Sequence, residues 1–234
     1  MLRAHPAPAA AAGRRPARGL SIVETMVGLV IGMVVMAGAL GMYVDNLTQS
    51  RRLLAEARLT QDLRAAADLI ARDLRRAGYW GNALSGTRAA GGGTVQALNP
   101  YAAVQAGSTA VSYNFSRDAA ENDQLDSAEQ FGFRVELGAL QMQTANGAWQ
   151  DVTDARSMIL TANGLVINAS ETDVPLGHLC PRTCLPGTPD CPRTQLRTYT
   201  LVLTGRSVRD AAVVRQFTSS VRVRNDRLDG RCPV

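Results

Sequence analysis

The sequence predicts an α+β fold, in which a long N-terminal helix packs through its second half on an antiparallel β-sheet. The run at residues 20–44 is apolar and has Glu24 as its only charged side chain. Residues 45–78 are polar but keep an apolar stripe at helical spacing. From residue 79 to residue 234, β-like runs follow one another without helical patterns between them, which favours an antiparallel sheet. The chain therefore divides into a leader at residues 1–19, two helical segments and a β-rich domain.

The leader carries most of the excess positive charge. The chain has 25 basic and 20 acidic side chains, a net charge of +5. Four of the arginines and none of the acidic residues precede Leu20, so the remainder has 21 basic against 20 acidic residues, a net charge of +1. The positive charge is thus not a property of the folded domain, and binding to nucleic acid loses its main support.

Residues 20–44 are long enough to cross a membrane. At 1.5 Å per residue the segment spans about 37 Å, more than the roughly 30 Å of the hydrocarbon layer. The arginines before it and Asp45 after it favour a cytoplasmic leader and a periplasmic C-terminal domain. The apolar run is too long, and its end too poor a cleavage site, for an ordinary secretory signal peptide. We therefore expect a single-pass inner-membrane helix.

The next segment continues the helix with one apolar face. The stripe comprises Leu59, Leu63, Ala66, Ala67, Ile70, Leu74 and Ala77. Gly78 supplies a C-terminal stop, so we expect one helix from Leu20 to about Gly78.

Six β-like runs and two tight turns follow. The runs lie at residues 109–115, 131–137, 140–144, 165–168, 197–203 and 213–224. The pairs Asn146-Gly147 and Asn163-Gly164 have the composition of hairpin turns.

The start of the apolar run contains a recognisable processing motif. A basic leader ends at Gly19, an apolar Leu20 follows, and Glu24 lies four residues further on. This pattern resembles the class III signal of type IV pilins and of type II secretion pseudopilins, although the leader is long and Leu20 replaces the more usual Phe. The resemblance implies cleavage between Gly19 and Leu20 by a membrane-embedded prepilin peptidase, and N-methylation of Leu20. It also implies that, in a filament, Glu24 pairs with the N-terminal amine of a neighbouring subunit.

Two further segments narrow the resemblance. Residues 73–81, at the predicted helix end, and residues 217–225, in the last strand region, are similar to PilW-type minor pilins. This implies a subunit that helps to prime assembly of a type IV pilus or forms its tip. The implied partners are other minor pilins, the major pilin, the prepilin peptidase, the inner-membrane assembly platform and a tip adhesin. The implied processes are pilus assembly, cell adhesion and twitching motility.

Two features of the apolar helix have alternative interpretations. Gly28 and Gly32, four residues apart, either let helices approach closely or reflect ordinary glycine usage in membrane helices. Glu24 either forms the assembly charge pair or reaches from near the helix end toward lipid headgroups.

The four cysteines predict two disulfide bonds. Cys180, Cys184, Cys191 and Cys232 form an even set in a segment expected in an oxidising compartment. Three pairings are open, and we favour one local loop plus one bond that ties Cys232 to it. The alternative is a metal site that combines His178 with Cys180, Cys184 and Cys191, but the spacing does not match paired C-x-x-C ligands.

No motif predicts catalysis, a metal or a cofactor. Glu121, Asp123, Asp126 and Glu129 resemble part of a calcium loop, yet the sixth and twelfth positions counted from Glu121 are Asp126 and Gly132, so we expect a solvated loop. The alternative functions are a type II secretion pseudopilin, a single-pass sensor or anchor with a ligand-binding domain, and a periplasmic enzyme. The last two lack an output module and a catalytic constellation, respectively.

Overall fold

The computed structural model describes residues 19, 21–87, 98–107, 109–189, 191–230 and 232–233. Residues 1–50 and 51–234 form two separate compact units. The first helix, α1 (Ile22–Leu74), supplies the described helical residues of the first unit and continues into the second. A short helix, α2 (Ala83–Thr87), follows in the second unit.

The part of α1 that belongs to the first unit is exposed on all sides, from Ile22 to Ser50. Its backbone groups bond within the helix, and the Ser21 carbonyl accepts from the Thr25 amide at 3.1 Å. A helix of this length and apolar composition is able to cross a membrane.

The part of α1 in the second unit has one buried face, as its apolar stripe predicts. Leu63, Ala67, Ile70 and Leu74 have no exposed surface, and they pack in one core with residues from both sheets. Burying a side chain the size of Leu63 is worth about 2 kcal/mol, so this stripe holds the helix on the sheets.

The helix ends earlier than the predicted Gly78. It stops at Leu74, and residues 75–78 form turns that place Gly78 at φ +74°. Two carbonyl groups just beyond the helix end accept hydrogen bonds from the C-terminal part of the domain. The Arg224 amide donates to the Arg75 carbonyl at 3.1 Å, and the Asn225 side-chain amide donates to the Ala77 carbonyl at 3.1 Å.

The first sheet is a five-stranded antiparallel meander. Its strands lie in the order β1-β2-β3-β4-β5. Their bounds are β1 (Val104–Ala106), β2 (Ala110–Asn114), β3 (Gln130–Glu136), β4 (Ala139–Gln143) and β5 (Trp149–Asp151). The buried rings of Tyr113, Phe115, Phe131 and Phe133 stack along β2 and β3 and just beyond β2.

The second sheet is built from two long strands and two partners. The strands β6 (Met158–Pro175), β7 (Arg193–Ser207) and β8 (Val214–Arg222) lie in that order, and β9 (Arg227–Asp229) pairs with the start of β7. All these pairs are antiparallel. The two sheets meet where the Leu160 amide donates to the Gly138 carbonyl at 2.8 Å and the Ile167 amide donates to the Gly107 carbonyl at 3.3 Å.

One predicted turn is confirmed and the other is wrong. Gly147 lies in the β4–β5 connection at φ +80°, as a tight turn requires. Asn163-Gly164 instead lies inside β6, where the pairing with β7 shifts register between Leu160 and Leu165. This β-bulge uses a different property of glycine, the lack of a side chain, because a Cβ at Gly164 would lie 2.7 Å from the Thr204 carbonyl oxygen.

Candidate assembly site

The predicted processing motif lies at the start of α1. Gly19 is exposed and Ser21 precedes the helix, which begins at Ile22, whereas Leu20 lies outside the described residues. A Cβ at Gly19 would meet no atom within 4 Å. No other described part of the chain therefore covers the main chain at Gly19.

Glu24 lies in the first turn of α1. The unpaired amides of a helix N-terminus carry partial positive charge, so a carboxylate is better placed there than further along an apolar helix. No ion pair within the described part of the chain includes Glu24.

The only hydroxyl near Glu24 on the helix is satisfied internally. The Thr25 hydroxyl donates to the Ile22 carbonyl at 2.8 Å. The Thr25 hydroxyl therefore has a hydrogen-bond acceptor within the helix. In an apolar surrounding, the charged carboxylate of Glu24 would be costly to bury without a partner.

Gly28 and Gly32 lie one turn apart on the exposed helix, as predicted from their spacing. A Cβ at either position would meet no atom within 4 Å. Large apolar side chains surround them and are also exposed, including Val27, Leu29, Ile31 and Met33. The helix therefore presents an apolar surface with a shallow stripe at the glycines, which is geometry suited to contact with another helix.

The four cysteines form two disulfide bonds, in agreement with the predicted number. Cys184 pairs with Cys191 across a local loop, and Cys180 pairs with Cys232 near the C-terminus. All four sulfurs are consumed in this way, which leaves no thiolate for the alternative metal site with His178. Across the described residues, no group of His, Cys, Asp and Glu is arranged to hold a metal ion.

The acidic loop at residues 121–129 is exposed from residue 122 to residue 128, in agreement with the expected solvated loop, but its carboxylates also bond to neighbouring segments. Glu121 accepts from the Gly81 amide and the Tyr101 hydroxyl, both at 2.8 Å. Asp123 accepts from the Trp80 indole at 2.7 Å and from Asn82. The loop therefore fixes the chain immediately after the end of α1.

These bonds change the acidity of Glu121. Desolvation raises the pKa of its carboxyl, but hydrogen bonds from Ser116, Tyr101, Gly81 and Asp123 outweigh it and hold the pKa below the ordinary value of 4.5. Burial, followed by the bond to Glu121, raises the pKa of Tyr101, so this phenol stays a donor at physiological pH.

Glu129 is the most buried of the acidic side chains, with only 1% of its surface exposed. It closes a capping box by accepting from the Asp126 amide at 3.0 Å, and it also accepts from the Arg117 amide at 2.9 Å. The spacing Asp126-x-x-Glu129 is a capping-box signal that was visible in the sequence.

Arg197 is a second buried group that the sequence analysis did not single out. Its side chain is 4% exposed and donates to the Ala102 carbonyl at 2.5 Å and to the Asn225 carbonyl at 3.1 Å. It thereby connects β7 to the segment before β1 and to the segment after β8. No local sequence pattern indicates this role, because both acceptors are main-chain groups far away along the chain.

Comparison with known protein families matches two regions of the chain. Residues 14–40 match the prokaryotic N-terminal methylation motif, which includes Gly19, Leu20 and Glu24. Residues 52–223, more than half of the chain, match prepilin peptidase-dependent protein B (PpdB). No curated protein and no solved structure matches the chain significantly.

The two matches and the long helix packed on antiparallel sheets agree with one another. They describe a pilin-like protein with a prepilin signal and an apolar N-terminal helix that fits a membrane anchor. The chain therefore belongs to the prepilin peptidase-dependent protein B family.

Proposed function

We propose that this protein is a minor pilin of a type IV pilus, a structural subunit that primes assembly or forms the filament tip. The observation that carries the proposal is an apolar helix, exposed on all sides, whose only charge over residues 22–44 is Glu24 in its first turn. Such a helix needs lipid or other helices around it.

The first step of the proposal is processing at Gly19. The prepilin peptidase cuts before Leu20 and the new amine is N-methylated. The open main chain at Gly19 and the match to the methylation motif support this step. Before assembly, the helix anchors the protein in the inner membrane with its C-terminal domain in the periplasm; afterwards the protein lies in the pilus at the cell surface.

The second step is the capture of Glu24 by a neighbour. Burying an unpaired carboxylate in an apolar surrounding costs about 3 kcal/mol or more. Packing of the helix into a filament is therefore unfavourable while Glu24 has no partner. The N-terminal amine of another subunit removes this cost, and the stripe at Gly28 and Gly32 lets the two helices approach. The pair then fixes the axial position of one subunit against the next.

The partners follow from this assignment. They are the major pilin and other minor pilins through the apolar helix, the prepilin peptidase at Gly19, the inner-membrane assembly platform, and a tip adhesin through the C-terminal domain. The cystine-tied domain suits the oxidising periplasm and the cell surface.

Substitution of Glu24 tests the proposal. We expect Glu24→Ala and Glu24→Leu to be processed normally but to enter filaments poorly, because they leave the N-terminal amine of the neighbouring subunit unpaired in an apolar surrounding. A cost of about 3 kcal/mol for that charge corresponds to a roughly 100-fold loss of incorporation. Glu24→Asp, which keeps the charge, is the matched control and should retain most incorporation. Incorporation is measured in sheared filaments by immunoblotting; normal incorporation of both uncharged variants would remove the assembly role.

Intact mass and N-terminal sequencing test the processing step independently. The mature chain is expected to begin at methylated Leu20, and retention of residues 1–19 in the native protein would contradict the proposal. Deletion of the gene separates the two filament systems: loss of pili supports the pilus assignment, whereas loss of protein secretion with normal pili assigns the chain to a type II secretion pseudopilus.

A further inference from the structure

A groove runs beside α1 in the second unit. It is a cavity of about 540 Å³ between one side of the helix and the connection from β5 to β6. Asp62, Ala65 and Leu69 line it from the helix, and Val152 and Asp154 line it from the connection. Ala65 is exposed and Leu69 is half-buried. The groove therefore has an apolar floor on which an apolar side chain from outside can pack.

The rim of this groove is mainly acidic. Asp62 and Asp68 contribute carboxylates from α1, and Asp154 contributes one from the connection, while Arg72 lies at the C-terminal end of the groove. Asp154 pairs with Arg156 at 3.2 Å. In contrast, no ion pair among the described residues includes Asp62 or Asp68. These two carboxylates are therefore available to a cationic partner.

The same side of α1 is basic nearer to its N-terminus. Residues three, four or seven positions apart share one side of a helix, so Arg51, Leu54 and Arg58 form a stripe that leads toward Asp62. All three side chains of this basic stripe are exposed, and Leu54 keeps 60% of its surface accessible. Within the described part of the chain, neither arginine belongs to an ion pair. The stripe thus offers an apolar side chain between two unpaired cations.

Charge decides how the α1 helices of two copies can lie side by side. With parallel helices in register, each charge of this side faces the same charge of the other copy, which is unfavourable. A displacement of ten residues instead brings Arg58 level with Asp68, and Asp62 level with Arg72. The same displacement places Arg51 one residue from Asp62. One displacement therefore brings three pairs of opposite charges together.

We propose that the basic stripe of one copy docks in the groove of a second copy, with the two α1 helices parallel and displaced by ten residues. Leu54 packs on the floor formed by Ala65 and Leu69, and the two arginines of the stripe reach Asp62 and Asp68. At 1.5 Å per residue, the displacement is about 15 Å along the helix.

This contact joins two different surfaces of the chain. Each copy offers a groove to one neighbour and a stripe to another, so the contact propagates rather than closing into a dimer. The parallel orientation rests on the proposed function, in which every copy inserts its helix into the membrane in the same direction. The docking deepens that function, because it names a second copy of this chain as a partner and does not involve Glu24.

Site-specific photocrosslinking in intact cells tests the docking. The full chain carries benzoylphenylalanine in place of Leu54, and irradiation is expected to give dimers, trimers and larger multimers of the chain. The crosslinked peptides should map to residues 62–72 or 152–158 of the second copy. Dimers without larger species, or crosslinks only to other proteins or to lipid, would overturn the proposal.

Exchange of one charge pair tests the register of the contact. Arg58→Asp and Asp68→Arg should each lower the multimer yield about tenfold, because each places like charges opposite each other. A chain that carries both substitutions restores the opposite charges and should regain most of the yield. Both positions are exposed, so we expect all three variants to fold, which thermal unfolding checks. A folded double variant that stays as low as the single ones would refute the pairing.

Arg52→Asp is the matched control. It makes the same change of charge as Arg58→Asp, but Arg52 lies about 100° around the helix from Arg51. It should therefore leave the multimer yield unchanged, and a loss equal to that of Arg58→Asp would show that only the total charge matters.

The docking and the proposed function fail in different ways. Processed chains that enter sheared filaments but give no multimers through position 54 would refute the docking alone. Chains that keep residues 1–19 and still give these multimers would refute the proposed function alone.

Discussion

Glu121 shows how a single side chain secures the end of the long helix. Its carboxylate accepts from the amides of Gly81 and Asp123 and from the Tyr101 hydroxyl. Gly81 lies beyond the last turn of α1, whereas Tyr101 lies before β1. One carboxylate thus joins two segments that are distant along the chain, and the donors it satisfies lower its pKa.

Replacing Glu121 by glutamine should lower stability and remove part of its pH dependence. The folded-state pKa of Glu121 lies below its ordinary value of 4.5, so its stabilisation is present above that value and is lost as the pH falls through the folded-state pKa. We expect Glu121→Gln to lower the free energy of unfolding at pH 7 by about 1 kcal/mol, a small value because solvent screens this partly exposed group. Thermal unfolding between pH 3 and pH 7 measures both effects.

Asp118, shortly before this loop, provides the control. It is exposed and takes no part in this network, so Asp118→Asn should have the same free energy of unfolding as the unchanged protein at pH 7. Equal stability of Glu121→Gln and Asp118→Asn at pH 7 would show that the bonds to Glu121 contribute nothing.

At the scale of elements, the sequence predicts the type and the order of the helices and strands better than it predicts where each begins and ends. The helix stripe and the strands around Phe131 and Leu201 were predictable, because each repeats its apolar residues at one period. The three short strands β1, β5 and β9 were not, since three residues cannot establish a period. The continuation of β6 beyond Ile167 was also not predictable from the sequence, because its last eight residues are exposed and show no alternation of burial.

The residues of the candidate site likewise fall into those that the sequence identifies and those that it does not. Gly19, Glu24 and the cysteines are recognisable because local spacing identifies them. The bonds of Glu121, Asp123 and Arg197 join segments 20 or more residues apart, and nothing in the local sequence selects their partners.

The bulge in β6 can be tested through Gly164, whose Cβ would lie 2.7 Å from the Thr204 carbonyl oxygen and 2.8 Å from the main chain of Thr161. Because these atoms belong to the backbone, they cannot move aside alone. We expect Gly164→Ala to destabilise the domain by about 2–3 kcal/mol in denaturant unfolding. The exposed neighbour Asn163 gives the comparison, since Asn163→Ala should change stability by less than about 0.5 kcal/mol; if both substitutions cost the same, the close approach at the bulge is wrong.

At the scale of the whole molecule, the C-terminal segment holds the parts of the second unit together. Arg224 and Asn225 bond to the end of α1, and β9 pairs with the start of β7. Shortly after β9, Cys232 is joined to Cys180, which follows β6 along the chain. The helix end, the second sheet and the C-terminus therefore depend on one another, and loss of the C-terminal tie should affect all three.

The two disulfide bonds should therefore contribute unequally to stability. Cys180 and Cys232 are 52 residues apart, whereas Cys184 and Cys191 are only 7 apart. A crosslink restricts the unfolded chain more when its loop is longer, and the chain-entropy relation gives about 4 kcal/mol for the first bond and about 2 kcal/mol for the second. We expect the double replacement Cys180→Ser/Cys232→Ser to lower the unfolding midpoint in guanidinium more than Cys184→Ser/Cys191→Ser does, and hydrogen exchange to rise at the amides of Arg227, Asp229 and Arg224 only in the first variant. Equal midpoints, or unchanged exchange at these amides, would mean that hydrogen bonds alone hold the C-terminal segment in place.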